Sequence, residues 1–478
     1  MIDQPPAAAL TSPVGSSRWP TAIAGVAALL GLAQLALFYP GIASYDLVFA
    51  FGEYRAHAVG DWHPPVLIRL WQGLATLGLP GLGSLYLIQT LLLWLGLGLL
   101  ATAQAREGRR WSAAALLLVG ILPPVFGWMA EVLKDTQFTA ALAAATGVAG
   151  HYRLRGRPMP WAAVGGVALL LLYATLLRQN ALFSTVPLAA GLAVAERGGR
   201  ARAPIAAGLV LLVALLAPAI NHRIFDARAA HAERSMQLYD MAGIAHFARL
   251  PTIPGVAPAM WAEAERRGCY TPYAWDSYDM PQSCPPIWAT LRDRPLTADW
   301  LGLIVAHPIA YAEHRLGHWN TTLRFLTARQ EPRAAAQKRS TPNPWGLGLG
   351  ESRAAAVSFK VQSIFAATPL GWPVAWAGLG LAVLWAGAAL PRSPRRDLAL
   401  TLALSGLVQM ASSLVVSVAA DFRYHHWPIV AIAMAGALLV GEPLPTYRVR
   451  RSALILLALC VVTAAARFAL TPHWPAGF

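Results

Sequence analysis

The sequence predicts an all-α, polytopic membrane protein of about eleven transmembrane helices, and three observations carry that expectation. Hydrophobic residues make up 56% of the chain and charged ones 13%, with a mean hydropathy of +0.47, outside the range of soluble domains. Apolar stretches near the roughly 20 residues needed to cross a bilayer recur along it. The basic residues gather in the short connections between those stretches.

Residues 1–18 are rich in Pro, Ala and Ser and are expected to form a disordered cytoplasmic tail. Spans are expected at 19–39, 83–104, 111–129, 132–150, 160–177, 180–196, 203–221, 361–389, 398–419, 426–441 and 452–470. The first is too long and too poorly flanked for a cleaved signal peptide, so it is expected to remain. The chain then divides into an N-terminal transmembrane module over 19–221, with an external loop at 40–82, an extracytoplasmic domain over 222–360, and C-terminal transmembrane helices over 361–478.

The net charge of +15 is distributed as orientation rather than as a nucleic-acid footprint. Arg106, Arg109 and Arg110, then Arg153, Arg155 and Arg157, then Arg197, Arg200 and Arg202, then Arg392, Arg395 and Arg396, then Arg448, Arg450 and Arg451 all fall on the side of the N-terminus. Basic residues held on one side mark the cytoplasm. The N-terminus is therefore expected inside, and the C-terminus and 222–360 outside, in the periplasm. The bias to Arg over Lys, with abundant Ala, Gly and Leu, suggests a GC-rich bacterial genome and an inner membrane.

Within the first external loop, Tyr45–Val59 mixes apolar and charged residues in a way that suits a short helix at the membrane interface, and Val66–Leu77 suits a second. In the outer segment, 225–250 and 297–326 have helical composition, 251–295 is rich in Pro, Tyr and Trp, and 329–351 is expected to be mobile. Cys269 and Cys284 stand 15 residues apart in this segment. They are either a disulfide, expected in an oxidising compartment, or two free thiols. Cys460, within a span, suits a small buried hydrophobe.

Titratable groups concentrate in four connections on the outer side. The first loop brings Asp46, Glu53, Asp61 and His63; the start of the fourth span brings Glu131, Lys134 and Asp135; the next outer turn brings Arg178 and Asn180; and the loop after the ninth span brings Asp421, Arg423, Tyr424 and His425. Charges at a membrane boundary are costly to place and often functional. Lys134 is one of only three lysines. It is either an interfacial lysine paired with Asp135 or Glu131, or a cation for a lipid-linked phosphate shared with Arg178 or Arg423. Asp46 is either a partly desolvated general base of raised pKa or, like Ser44, a helix cap. The pair Pro64-Pro65 holds His63 extended. Adjacent His425 and His426 point to different faces, so no metal site is expected, and no cofactor.

At these residues the chain resembles the GT-C superfamily of membrane glycosyltransferases, in particular the protein O-mannosyltransferase and aminoarabinose transferase group. Asp46 followed by Asp61-Trp62-His63-Pro64-Pro65 matches an acidic residue after the first span and an Asp-x-His-Pro-Pro motif some fifteen residues later. The sequence departs from the family at Leu47, where a second acid usually stands. The resemblance implies transfer of a sugar from a polyprenyl-phosphate-linked donor to a glycan, lipid or protein acceptor at the outer face, without a divalent metal. Asp46 would be general base, with His63 and Asp61 in the catalytic set; Lys134, Arg178 and Arg423 would hold the donor phosphate; and Glu53, Asp135, Asn180, Tyr424 and His425 would contact substrate. The competing expectations are a transporter or flippase of lipid-linked glycans, and a non-catalytic envelope assembly factor.

Overall fold

The computed structural model describes residues 18–193, 202–280, 282–328 and 334–471. The expected cytoplasmic tail, apart from Arg18, and the cluster residues Arg197 and Arg200 lie outside them. The protein is mainly helical, with a single two-stranded parallel sheet among the described residues.

The bundle opens with α1 (Trp19–Phe38), which leads through β1 (Ile42–Ala43) into the two loop helices α2 (Tyr45–Ala56) and α3 (Pro65–Thr76). Both loop helices lie within two residues of where the sequence places their starts and within three of their ends. Next come α4 (Leu82–Arg106), α5 (Arg110–Ile121) and the single turn α6 (Pro123–Phe126), which leaves α5 at a 48° bend where Pro123 and Pro124 interrupt the backbone ladder. β2 (Glu131–Val132) follows, then α7 (Lys134–Leu154), α8 (Trp161–Leu177), α9 (Leu182–Ala193) and α10 (Arg202–Ala219).

The segment expected to lie outside the membrane, labelled the outer segment for that expectation, carries α11 (Glu233–Ala248), α12 (Pro258–Arg266), α13 (Ile287–Leu291), α14 (Thr297–Ala306) and α15 (Pro308–Leu323). The helical stretch expected over 297–326 is broken in two at His307, because Pro308 can begin a helix but not continue one. The chain returns to the bundle as α16 (Arg353–Ala366), α17 (Pro373–Gly387), α18 (Pro394–Val416), α19 (His426–Leu439) and α20 (Thr446–Ala469).

Fewer helices meet the length and hydropathy of a membrane span than the eleven expected. Among the described residues α1, α4, α18 and α20 do, and the bent pair that begins with α5 makes a fifth. The shortfall has local causes. The expected span at 361–389 is divided between α16 and α17, with Pro369 and Pro373 at the break. The helix α7 is long enough, but it carries Thr136, Gln137, Thr139 and Thr146, all buried.

That polar helix is the centre of the bundle. Gln137 donates to Leu85 O at 2.9 Å, and Gln89 of α4 donates to Met129 O at 2.9 Å and Glu131 O at 3.0 Å. Thr136 donates to Glu131 O at 2.9 Å. Side chains thus satisfy backbone carbonyls at the unwound entry to α7, as an apolar surrounding requires. The backbones of α4 and α7 touch: a Cβ placed on Gly96 would stand 2.3 Å from Ala143 O, and one on Gly147 2.4 Å from Gly96 Cα. Small residues are what allow this approach.

The outer segment has a core of its own, built from Tyr239, Trp261, Trp275, Trp288 and Leu291 among others. Cys269 and Cys284 are bonded there. Residues 334–351, expected to be mobile, are instead laid against the first loop. Ser340 Oγ accepts from Ala43 N–H at 2.9 Å, Thr341 N–H donates to Ala43 O at 2.8 Å, and Leu349 N–H donates to Gly41 O at 2.7 Å. Charge and Pro/Gly content signal a loop, but a loop can still lend its backbone to a neighbouring strand.

Candidate functional site

The small sheet builds the site. β1 pairs in parallel with β2, with Ile42 opposite Glu131 and Ala43 opposite Val132. This register sets the first turn of α2, bearing Asp46, beside the first turn of α7, bearing Lys134 and Asp135. Ser44 Oγ accepts from Leu47 N–H at 3.3 Å, so Ser44 is the cap of α2. The Asp46 carboxylate is left for the site. At the same end of the bundle, the turn between α18 and α19 brings Asp421, Arg423 and Tyr424, and the turn between α8 and α9 brings Arg178 and Asn180. Four connections meet there, as the sequence led us to expect.

Arg423 is the hub. Its Nη1 lies 2.9 Å from Asp46 Oδ2, while Nη2 and Nε reach Asp421 Oδ2 at 3.0 and 3.1 Å. Arg178 pairs with Asp135 and donates to Asn180 Oδ1 at 3.0 Å. The Tyr424 ring is near both guanidinium groups, 4.8 Å from Arg178 and 5.5 Å from Arg423, within the range of a cation–π contact. Lys134 makes no ion pair among the described residues and keeps part of its surface accessible. Of the three candidate phosphate cations it is the one that makes no close ion pair among the described residues, although Asp46 and Asp421 lie near enough to act on its charge.

These charges set the protonation states. Burial pushes Asp46 up, but Arg423, Lys134 and His63 outweigh it and hold the carboxyl well below the usual carboxylate range. Burial alone would raise the Asp46 pKa, as expected from the sequence, but the neighbouring cations reverse that direction. His63 is pushed down to about 4, first by burial and then by Lys134, and is neutral at pH 7. Its ring packs 5.2 Å from Phe49. Glu131 is pushed up to about 7 by burial, although its side chain accepts the Gln337 N–H.

Three of the expected site residues are turned elsewhere. Asp61 Oδ1 accepts from Ala230 N–H at 2.6 Å, Oδ2 lies 3.4 Å from His222 Nε2, and the Asp61 N–H donates to Arg228 O at 3.0 Å. It clips the start of the outer segment to the first loop. Glu53 faces Gly60 and Asp61 and is pushed up to about 7, chiefly by burial. His425 Nε2 lies 3.0 Å from Thr322 O, whereas His426 Nδ1 lies 3.0 Å from Thr139 Oγ1. The two histidines diverge as adjacent residues should. Among the described residues no three His, Cys, Asp or Glu side chains gather at metal-binding range.

Beside the site runs an apolar groove of about 470 Å³ between α1, the α5–α6 bend and α16. Leu37, Phe38, Ile121, Phe126 and Val361 line it, with Arg353 as its charged lining residue. Gln362, also in its wall, accepts from Ala336 N–H at 3.1 Å, and the next residue, Gln337, donates to Glu131. Consecutive backbone groups thus tie the groove to the site.

No family model matches the chain, and no curated protein does. Among solved structures it is similar to the archaeal oligosaccharyltransferase AglB from Archaeoglobus fulgidus, solved in complex with an inhibitory peptide and a dolichol-phosphate. Identity is 14% and the TM-score 0.38, over 94% of this chain and 55% of that one. The chain thus spans about half the length of that structure, and the likeness is too loose to argue from.

Proposed function

We propose that this chain is an integral membrane glycosyltransferase that moves a sugar from a polyprenyl-phosphate donor to an acceptor at the outer face of the membrane. The observation that carries the reading is the state of Lys134: a cation that makes no close ion pair among the described residues, near enough to Asp46 to act on its carboxylate. A half-buried cation with no close ion pair is costly to keep. A phosphate monoanion or dianion supplies the missing partner. The adjoining apolar groove suits the hydrocarbon chain of such a lipid, and the Asp46 to Pro65 resemblance supports the reaction class.

In this reading an acceptor O–H or N–H attacks the anomeric carbon, the bond from that carbon to the phosphate oxygen breaks, and the acceptor proton passes to Asp46. The departing lipid phosphate keeps the bonding electron pair, and Lys134 and Arg178 stabilise the charge it gains. The phosphate competes with Asp46 for Arg423 and Lys134. Donor binding therefore loosens the two contacts that suppress Asp46 and makes it a better base when the acceptor is present. Neutral His63 packs beside it. Asp135 and Asn180 hold Arg178 in place, Tyr424 spaces the two guanidinium groups, and Asp61 anchors the outer segment.

The test is Asp46→Asn in membranes given a panel of labelled polyprenyl-phosphate sugars. Transfer should fall by about 10²- to 10⁴-fold, the scale of a lost general base. Undiminished transfer removes Asp46 as base, and no transfer by the unmodified protein with any donor removes the enzyme reading. Orientation is tested by Asp293→Cys, whose parent side chain is 88% exposed: an impermeant thiol reagent should label it in intact cells.

A further inference from the structure

We propose that α14 and the exposed side of α15 form an interfacial wedge that seats the outer segment on the surface of the lipid bilayer. From Trp300 to Ala306 the sequence Trp-Leu-Gly-Leu-Ile-Val-Ala contains no charged or hydrogen-bonding side chain except the Trp300 indole. A helix that is apolar all round is normally enclosed by protein or by membrane, yet no residue of α14 is buried. One side meets protein: the Trp300 indole N–H donates to Asp240 Oδ2 at 2.8 Å, and Trp300 and Leu303 pack on the core of the outer segment. The other side is open. Leu301 and Val305 on α14, then Ile309 and Leu316 on α15, are all exposed, Val305 by 80% and Ile309 by 76%. Spacings of four and seven residues set each pair on one face of its helix.

The course of α15 identifies what covers this face. The helix α18 has the length and hydropathy of a membrane span, and α15 runs along it. Arg315 Nη1 donates to Ser417 O at 2.8 Å, just past the end of α18, and the Trp319 indole N–H donates to Met410 O at 3.2 Å. Met410 lies six residues inside that end, a depth of about 9 Å along the helix. From Arg315 to Trp319 the chain therefore descends beside a span. Leu316 is exposed there, as is Val415 of α18, so the open face of α15 continues the surface that α18 turns to lipid. Lipid already surrounds one end of this stripe, which favours a bilayer over a second protein as the occupant of the rest. The hairpin also carries two acids, Asp299 in the first turn of α14 and Glu313 beside the α15 stripe. Acids are costly in hydrocarbon. The wedge thus suits the interface, where an apolar face meets the acyl boundary and charges stay in water. The outer segment is held to the membrane by the same helix that packs on its core.

The experiment uses the full chain in lipid nanodiscs, with Cys460→Ala to remove the only cysteine outside the disulfide. Val305→Cys carries a small fluorophore, and Arg266→Cys on α12, whose parent side chain is 75% exposed, carries the same label as a water-facing reference. Emission is measured against lipids brominated near the top of the acyl chain and against aqueous iodide. The Val305 probe should lose about half of its emission to brominated lipid and be about fivefold less accessible to iodide than the Arg266 probe, as for a side chain seated at the acyl boundary. A Val305 probe that brominated lipid leaves unquenched overturns the wedge: access to iodide would then put the face in water, and protection from both would put protein over it. Ile309→Cys repeats the measurement on α15, where an unquenched probe likewise overturns the continuous stripe. Both positions are exposed, so neither label disturbs the core.

Discussion

Two buried Asp–Arg clusters in this protein differ in a way that separates stability from chemistry. In the outer segment, Asp240 Oδ1 meets His314 Nε2 at 3.1 Å and Arg315 Nη2 at 2.6 Å, and Oδ2 accepts from Trp300 at 2.8 Å. Tyr270 donates to His314 Nδ1 at 2.9 Å, the arrangement of a neutral imidazole with its proton on Nε2. Asp240 and His314 have no exposed surface, and a Cβ on Gly243 would fall 2.2 Å from the His314 ring. Burial pushes Asp240 up, but the bond from His314 and the charge of Arg315 hold it below the usual range, while burial pushes His314 down. One ionised acid meets one permanent cation. At the end of the bundle, Asp46 and Asp421 share Arg423, Asp135 takes Arg178, and Lys134 is left over. The Asp46 side chain is 26% exposed. The first cluster is closed on itself, whereas in the second three carboxylates face three cations unevenly, and Lys134 makes no ion pair among the described residues.

The comparison predicts that variants of the two clusters fail differently. The largest effect is on transfer, where Asp46→Asn should cost about 10²- to 10⁴-fold while leaving thermal unfolding close to the unmodified protein. A large loss of stability in that variant would put Asp46 in the same class as Asp240. Asp240→Ala should do the opposite, destabilising the outer segment by about 3–5 kcal/mol, because it strands Arg315 without its carboxylate. Unfolding followed by tryptophan fluorescence checks this, and little change would mean that the outer cluster is not structural. Reducing the Cys269–Cys284 bridge, which closes a 15-residue loop, should cost about 3 kcal/mol in the same assay.

A smaller effect concerns pH. Glu53, pushed up to about 7 from an ordinary 4.5, holds its proton more tightly folded than unfolded. Its contribution to stability is therefore present at low pH and is lost as pH rises through about 7. Glu53→Gln, which mimics the protonated form, should flatten stability against pH over that window. An unchanged slope would show that Glu53 is not the group responsible.

Much of this was legible in the sequence, and what was not has physical reasons. The loop helices α2 and α3, the convergence of four polar connections and the Cys269–Cys284 option follow from hydropathy, Pro placement and spacing, which are local properties. Ser44 and Asp46 compete for one cap on equal local terms, and only the turn geometry shows that Ser44 takes it. Asp61 stands in the most recognisable motif of the chain, yet its carboxylate serves Ala230 and His222, partners about 160 residues away. Tyr273 lies among many aromatic residues between 251 and 295, and nothing in its neighbourhood marks it as a hydroxyl that reaches Asp421. The expected spans are not matched one for one: prolines divide the apolar run at 361–389, and the buried polar residues of α7 lower its hydropathy below that of an apolar span.

The most direct measurement is the affinity of the protein in nanodiscs for undecaprenyl phosphate, compared between the unmodified chain and Lys134→Met, with thermal unfolding recorded alongside. Binding should weaken at least tenfold in Lys134→Met, as expected for loss of a charged contact to phosphate. The ligand-free variant should also be more stable, by about 1–2 kcal/mol, because a half-buried cation with no close ion pair has been replaced by an apolar side chain. Equal affinities, or a variant that is both unchanged in binding and less stable, would show that Lys134 already has its partner within the fold and would contradict the phosphate site.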